Sequence, residues 1–135
     1  MTLWQPGMII TEERMNDGVT PEIVTTGLVG ATDFTVVDFY GSRSGRSVMV
    51  HCYLTYTGAS YPAGYGGIGS NWPDLLAATL PVGWRPPTTM NTGWGDGIND
   101  GECTIGSSGQ ITLRSAFNNM PTGRNIRITA TWNAA

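Results

Sequence analysis

From Asp33 onward, apolar and polar side chains alternate with the period of two that is typical of β-strands. The pattern predicts a first strand over 34–40, a glycine- and serine-rich turn over 41–45 and a second strand over 46–57, which together form a hairpin. One face of the second strand carries Val48, Val50, Cys52 and Leu54, and the other carries Met49, His51 and Tyr53. Because both faces are fairly apolar, this strand is expected to be central and covered on both sides.

The remaining strands are predicted to be short and separated by turn residues, after a long loop over 58–74. They cover 75–80, 88–94, 102–105, 110–116 and 125–132. The proline-rich run over 81–87 excludes a central strand there, and 88–94 is interpreted as an edge strand. The total of about seven or eight strands predicts an all-β chain, folded as an antiparallel β-sandwich or jelly roll.

Residues 1–30 have a different pattern and are interpreted as a helical or extended arm. Thr11 can cap a short helix, since the two glutamates that follow suit its positive N-terminal end, and Asn16-Asp17-Gly18 ends it. The arm cannot bury its own apolar side chains, which are expected to dock on a partner or on the main body. They are Trp4, Met8, Ile9, Ile10 and Met15. The chain is therefore divided into an N-terminal docking arm, 1–30, and a β-sandwich head domain, 31–135.

The charge pattern argues against two classes of partner. The chain has seven arginines, no lysine and a formal net charge of −3, so it lacks the basic stripe that nucleic acids or anionic membranes would require. Its start has neither a basic region nor a long apolar run, and we therefore expect no signal peptide and no membrane insertion. Only 13% of residues are charged, which suggests that a sister subunit covers part of the surface.

The residue types that carry chemistry form no catalytic set in this sequence. The single histidine, His51, lies in the middle of a predicted strand and is interpreted as a structural or interface residue. Cys52 and Cys103 are expected to be buried thiols, with a disulfide left open if they face each other. The Gly-rich run over 64–69 matches a dinucleotide-binding pattern but lacks the surrounding βαβ unit. No cofactor, no metal and no enzymatic activity are therefore predicted.

Aromatic side chains in the predicted loops are the strongest candidates for ligand binding. Rings that can stack on a ligand, beside carboxylates that fix its orientation, are typical of carbohydrate and protein binding surfaces. The predicted ligand-binding residues are Tyr61, Tyr65, Trp72, Trp94, Asp96 and Asp100. The alternative is that the rings plug the ends of the sandwich or lie in a subunit interface.

Three segments carry a resemblance to a known group of proteins. They are the Trp-x-x-Gly segment and short polar helix over 4–16, the hairpin over 39–48, and the Leu-Pro-x-Gly-Trp-Arg-Pro string over 80–86 followed by strands at 105–113 and 126–132. The first resembles the opening of bacteriophage tail proteins, and the second is similar to a hairpin in phage fibre and minor tail proteins. The third resembles the head domain of phage tail-fibre and receptor-binding proteins, and this resemblance covers roughly residues 33–135. The resemblance implies a tumour-necrosis-factor-like jelly roll, a homotrimer and a location in the virion, without catalysis.

The resemblance leads to one principal hypothesis and two alternatives. The first is a trimeric tail or tail-tip protein involved in host attachment. It contacts other virion proteins through its arm, and a host-surface glycan is a further expected partner. The second is a capsid decoration or head-fibre protein of similar fold. The third is a monomeric carbohydrate-binding lectin module.

Overall fold

A computed structural model of the chain describes residues 5–16, 20–60 and 71–134, without the side chains of Arg14, Asn71 and Trp72. It contains one five-residue helix, α1 (Glu12–Asn16), and nine strands. In chain order the strands are β1 (Glu22–Val24), β2 (Val29–Gly30), β3 (Phe34–Ser44), β4 (Ser47–Tyr56), β5 (Asn71–Thr79), β6 (Met90–Gly95), β7 (Asp100–Ile105), β8 (Gln110–Ser115) and β9 (Asn125–Asn133).

The nine strands form one antiparallel sheet in the order β1-β3-β4-β9-β6-β7-β8-β5-β2. The two edge strands, β1 and β2, follow each other along the chain but pair with β3 and β5 at opposite edges. The sheet therefore curls over itself, and the predicted all-β, sandwich-like or jelly-roll-like fold is confirmed.

The core lies inside the curl, where inward side chains from both halves of the sheet meet. Val50, Cys52, Leu54, Ile126 and Ile128 are fully buried on β4 and β9. The opposing half contributes Cys103, Ile105, Ile111 and Leu113, which are fully buried on β7 and β8. Alternation of exposed and buried residues along β9 follows the predicted period of two, because one face of this strand meets the core and the other meets solvent.

The proline-rich string before β6 forms a turn that places Trp84 in the core. The backbone N–H of Trp84 donates to the carbonyl of Pro81 at 3.1 Å, and Gly83 has a φ of +88° that favours glycine. Trp84 is buried, with the guanidinium of Arg43 5.1 Å from its ring centroid. A Cβ on Gly41 would lie 2.8 Å from this ring, so close packing of Trp84 requires glycine at that position.

Two strand predictions need correction. The segment 88–94 was interpreted as an edge strand, but β6 lies inside the sheet between β9 and β7. The prolines end at residue 87 and the strand begins at Met90, so the backbone N–H groups of the strand itself remain able to pair. Strand β5 begins at Asn71, inside the predicted 58–74 loop, and tolerates Pro73 because its pairing with β8 is interrupted between Asn71 and Leu75.

The arm contributes two strands to the sheet. Residues 22–24 and 29–30 form β1 and β2, and Leu28 between them packs in the core. The predicted short helix is present as α1, although it is only five residues long. Among the predicted docking residues, Met8 is half-buried and Ile9, Ile10 and Met15 are exposed, whereas Trp4 lies outside the described residues. Docking by this arm remains a prediction.

Strand β4 is central, as predicted, because it pairs with β3 on one side and β9 on the other. The expected cover on its second face is only partial. Met49, His51 and Tyr53 are half-buried, whereas the inward residues of the same strand are buried. The outer face of β4 therefore leaves apolar and aromatic surface open to contact.

The two cysteines are free thiols, both buried in the core. Burial raises the pKa of the Cys52 thiol to about 12, with a smaller contribution from the neighbouring Cys103. Burial also raises the pKa of Cys103 to about 12, with a smaller contribution from Glu102. The interpretation as buried thiols is confirmed, and both remain protonated near neutral pH.

Candidate functional site

One end of the sandwich is a cluster of hydrogen-bonded loops, which we call the Asn99 end. It comprises residues 57–60, 96–99 and 116–124, between the strands that reach this side of the molecule. Tyr56 at the end of β4 donates its backbone N–H to Arg124, and Gly123 donates back to Tyr56, both at 2.8 Å. These bonds join the third loop to the central hairpin.

Asn99 ties two of these loops together from inside, since its side chain is only 1% exposed. Its amide nitrogen donates to the carbonyls of Asn118 at 3.1 Å and Asn119 at 3.4 Å. Its amide oxygen accepts the backbone N–H of Asn118 at 2.8 Å and that of Asp100 at 3.1 Å. A buried amide whose donors and acceptor are all used holds its neighbours rigidly, because breaking any of these bonds leaves a buried polar group unpaired.

Asp96 also stabilises the Asn99 end from inside. One carboxylate oxygen accepts the backbone N–H groups of Ile98 at 2.8 Å and Asn99 at 2.5 Å. The other oxygen lies 2.8 Å from Nε of Arg124 in an ion pair whose aspartate side chain is 3% exposed. Asp96 was predicted to bind a ligand, but both its oxygens are used to fix the loop.

The loop after β4 is braced by Thr122 and Tyr56. The hydroxyl of Thr122 donates to the carbonyl of Gly58 at 2.6 Å, and its backbone N–H donates to the hydroxyl of Ser60 at 3.0 Å. The phenol of Tyr56 donates to the carbonyl of Ala59 at 2.7 Å. All three loops are therefore held by specific bonds, and the end can present its surface without a large ordering cost on binding.

This rigid end displays two large apolar side chains. Ile98 is 76% exposed and Phe117 is 57% exposed, and both line a cleft of about 500 Å³. The cleft is also lined by Gly95, Gly97, Asn99 and Asp100. An aromatic ring and an aliphatic side chain beside an exposed carboxylate form a surface that can contact an apolar group and a hydrogen-bond donor together.

Those predicted ligand-binding residues that the structure describes do not form one exposed surface. Asp100 lines the cleft, whereas Trp94 is 3% exposed and donates its indole N–H to the carbonyl of Ser115 at 2.9 Å. The alternative in which loop rings plug the sandwich is therefore correct for Trp94. Tyr61, Tyr65 and the side chain of Trp72 lie outside the described residues.

Sequence reasoning missed Ile98 and Phe117. The predicted site residues are tyrosines and tryptophans near glycine and proline, together with two aspartates, and they include neither of these side chains. A usable signal was present, because Ile98 is the one large apolar residue in the polar stretch 95–102. Exposed apolar side chains at the tip of a polar loop have no core to pack in, which favours a contact role.

Another part of the described surface is polar. A cleft of about 600 Å³ on the outer face of β6, β7 and β8 is lined by Thr89, Asn91, Glu102, Thr104 and Arg114 among others. The nearby ion pair between Arg114 and Asp74, at 2.6 Å, has both side chains largely in solvent and therefore contributes little stability.

Among residues 5–16, 20–60 and 71–134, no three histidine, cysteine, aspartate or glutamate side chains are grouped in a way that could hold a metal ion. Over the same ranges, no helix has the length and apolar character needed to cross a membrane. Comparison with known proteins found no matching family model and no matching curated protein.

Proposed function

We propose that this chain is a non-enzymatic virion protein, a homotrimeric tail or tail-tip head that takes part in host attachment. In this proposal the Asn99 end contacts the host surface, and the N-terminal arm docks on other virion proteins. The observation that carries the proposal is a rigidly braced loop end that displays Ile98 and Phe117 around Asp100.

The bracing favours attachment because a binding head must hold its contact residues in place without a partner. Asn99 and Asp96 direct their polar atoms to backbone groups of the two loops and to Arg124 rather than to solvent. The cost of ordering side chains and loops is subtracted from binding free energy, so a pre-organised surface binds more tightly than a mobile one of equal area.

Two further observations support the virion assignment. The order of the Leu-Pro-x-Gly-Trp-Arg-Pro string and the later strands resembles phage receptor-binding heads, and Trp84 anchors the crossing at that string. The arm also exposes Ile9, Ile10 and Met15, which suits docking on another protein.

Adsorption of the purified, fluorescently labelled chain to a panel of bacterial strains tests the proposal. We expect some strains to retain the chain, and we expect Phe117→Ala to weaken retention roughly tenfold, since aromatic anchors dominate contact surfaces. Val82→Ala is the matched control, because Val82 is also exposed but lies in the turn before β6. Retention by no strain, or equal retention of Phe117→Ala and the parent, would overturn attachment through this end.

A monomeric carbohydrate-binding lectin is the second candidate, favoured by the placement of Phe117 and Asp100 in one cleft. A sugar offers an apolar ring face and hydroxyl donors to such a pair. Sedimentation of the chain together with a glycan array separates the two. A stable monomer that binds glycans favours the lectin, whereas a trimer favours the virion head.

Copy number per particle distinguishes a tail protein, with few copies, from a capsid decoration, with many.

A further inference from the structure

We infer that the copies of this chain meet through one defined surface, the outer face of β3, β4 and β9, around a three-fold axis parallel to these strands. This surface is called the β4 face below. The inference rests on the proposed trimer and adds the residues that form its interface. Three lines of argument support it: the residue types at the centre of the face, the charges on its flanks and the strand register that sets their height.

The centre of the β4 face has the composition of a protein interface. Tyr40, Met49, His51 and Tyr53 are adjacent and half-buried, and none of the four is an acidic side chain, a lysine or an arginine. Nδ1 of His51 lies 2.9 Å from the hydroxyl of Thr129, which holds the ring toward β9. Interface cores are enriched in aromatic residues and methionine and depleted in charge, and this patch matches that anatomy.

A polar rim surrounds this centre toward the β3–β4 turn. Across the sheet, Ser42 pairs with Met49, and Met49 pairs with Thr131. The next outward-facing row toward the β3–β4 turn consists of Ser44, Ser47 and Asn133. These residues line a shallow cleft of about 410 Å³. Small hydroxyl and amide side chains let a second backbone approach closely, and a polar rim of this kind is typical of a protein interface.

The opposite end of the β4 face carries opposite charges on its two flanks. Asp38 on β3 pairs with Tyr53 on β4, and Tyr53 pairs with Arg127 on β9, so the three residues form one row across the sheet. Asp38 and Arg127 are both exposed, and the guanidinium of Arg127 lies 4.5 Å from the ring centroid of Tyr53. One flank is therefore negative and the other positive at the same height along the strands.

This charge arrangement complements itself when three copies surround an axis that runs parallel to the strands in front of β4. Around such an axis, the β9 flank of each copy meets the β3 flank of the next copy at equal height. Arg127 then meets Asp38 of the neighbouring copy three times, and Met49, His51 and Tyr53 point toward the axis. A second copy is favoured over an unrelated partner because the face supplies both halves of its own charge pair.

Paired cysteines test this geometry directly. The variant Asp38→Cys/Arg127→Cys places two thiols on strands separated by β4, with Cα atoms about 10 Å apart within one chain. A disulfide requires Cα atoms within about 7 Å, so the two positions can bridge only between chains. The native cysteines are buried and do not compete. Under mild oxidation we expect a covalent trimer on a non-reducing gel.

Matched controls define what the cross-link means. Each single cysteine variant is expected to run as a monomer, since its partner position lacks a thiol. Asn91→Cys/Thr112→Cys spans the same two-strand distance on the outer face of β6, β7 and β8, and is expected to give no covalent trimer.

A charge swap supplies a second readout. Asp38→Arg or Arg127→Asp alone is expected to weaken assembly roughly tenfold or more, and the double swap is expected to restore it.

The outcomes separate failure of the interface from failure of the proposed function. Covalent dimers without trimers would replace the three-fold arrangement by a two-fold one and overturn the inference. Wild-type trimers in sedimentation, with no cross-link from Asp38→Cys/Arg127→Cys, would overturn the β4 face and leave the trimeric head standing. A wild-type monomer at micromolar concentration would overturn both.

Discussion

Single polar residues determine the shape of the candidate binding end. Asn99 and Asp96 are loop residues that sequence alone would place in solvent, yet both are almost fully buried. Each uses its polar atoms on backbone groups or on Arg124, and each therefore acts on the position of its neighbours rather than on a ligand. Asp100, one residue further along, is exposed and remains available for contact.

Replacement of Asn99 tests the bracing at this scale. Asn99→Ala removes the side-chain bonds to both Asn118 and Asn119, which tie the loop over 116–124 to the loop over 96–99. We expect the free energy of unfolding to fall by about 2–3 kcal/mol, measured by urea denaturation. Asn91→Ala, on an exposed side chain, is the control and should change the unfolding free energy by less than about 0.5 kcal/mol. Equal effects of the two changes would contradict the bracing role.

The buried thiols provide a second test at the residue scale. Because burial raises the pKa of Cys52 and Cys103 to about 12, both are protonated and inaccessible at pH 8 in the folded chain. We expect a maleimide reagent to label neither thiol of the native protein and both thiols in urea, as counted by mass spectrometry. The raised pKa also predicts that the free energy of unfolding falls as pH rises from 9 toward 12, because the thiols of the unfolded chain lose their protons at lower pH than those of the folded chain. Rapid native labelling at pH 8 would contradict the buried placement.

At the scale of elements, the sequence predicts those strands well that bury one face in the core and expose the other to solvent. The hairpin of β3 and β4 and the final strand β9 were recognised because their alternation reflects contact with one core. Strands β1 and β2 were not recognised, since they are three and two residues long and exist only through pairing with β3 and β5. The position of β6 depends on its pairing with β9, about 30 residues later, which no local pattern reveals.

The same reasoning explains how much of the candidate site was foreseen. Asp96 and Asp100 were predicted as ligand-binding carboxylates, and Asp100 does line the cleft. The role of Asp96 could not be predicted, because its partner Arg124 comes from a loop 28 positions later. Phe117 reaches the cleft through a backbone bond from its N–H to the carbonyl of Asp100 at 2.8 Å, a contact that depends on the pairing of β7 with β8.

Glycine at 101 provides a test of strand packing. A Cβ at this position would lie 1.9 Å from the carbonyl oxygen of Ser115 and 2.6 Å from the indole nitrogen of Trp94. Gly101→Ala must therefore displace β7 or Trp94, and we expect it to lower the free energy of unfolding by about 2–3 kcal/mol. Gly93→Ala is the matched control, since its Cβ would lie 3.7 Å from the carbonyl oxygen of Gly101, which is an ordinary van der Waals distance. Similar midpoints in urea for both variants would contradict the close approach.

At the scale of the whole molecule, the fold depends on what covers its edges and faces. The segment 20–30 joins the two edges of the sheet, with β1 on β3 and β2 on β5. An open edge exposes unpaired backbone groups that can pair with other chains, and ending the sheet in two very short edge strands limits such pairing. The β4 face is a different kind of surface, because its central strand pairs with a strand on each side and only the side chains of that strand are left to bind.

Two truncations separate these roles. A chain that begins at Thr20 loses α1 and the exposed residues before it but keeps β1, β2 and the buried Leu28. We expect it to fold with a melting temperature within a few degrees of the full chain and, if the arm serves docking, to lose only its incorporation into virions. A chain that begins at Ala31 lacks both edge strands, and we expect it to aggregate, since β3 and β5 then present open edges. Light scattering and thermal unfolding of the two chains check this, and a well-folded, soluble chain starting at Ala31 would show that the edge strands are dispensable.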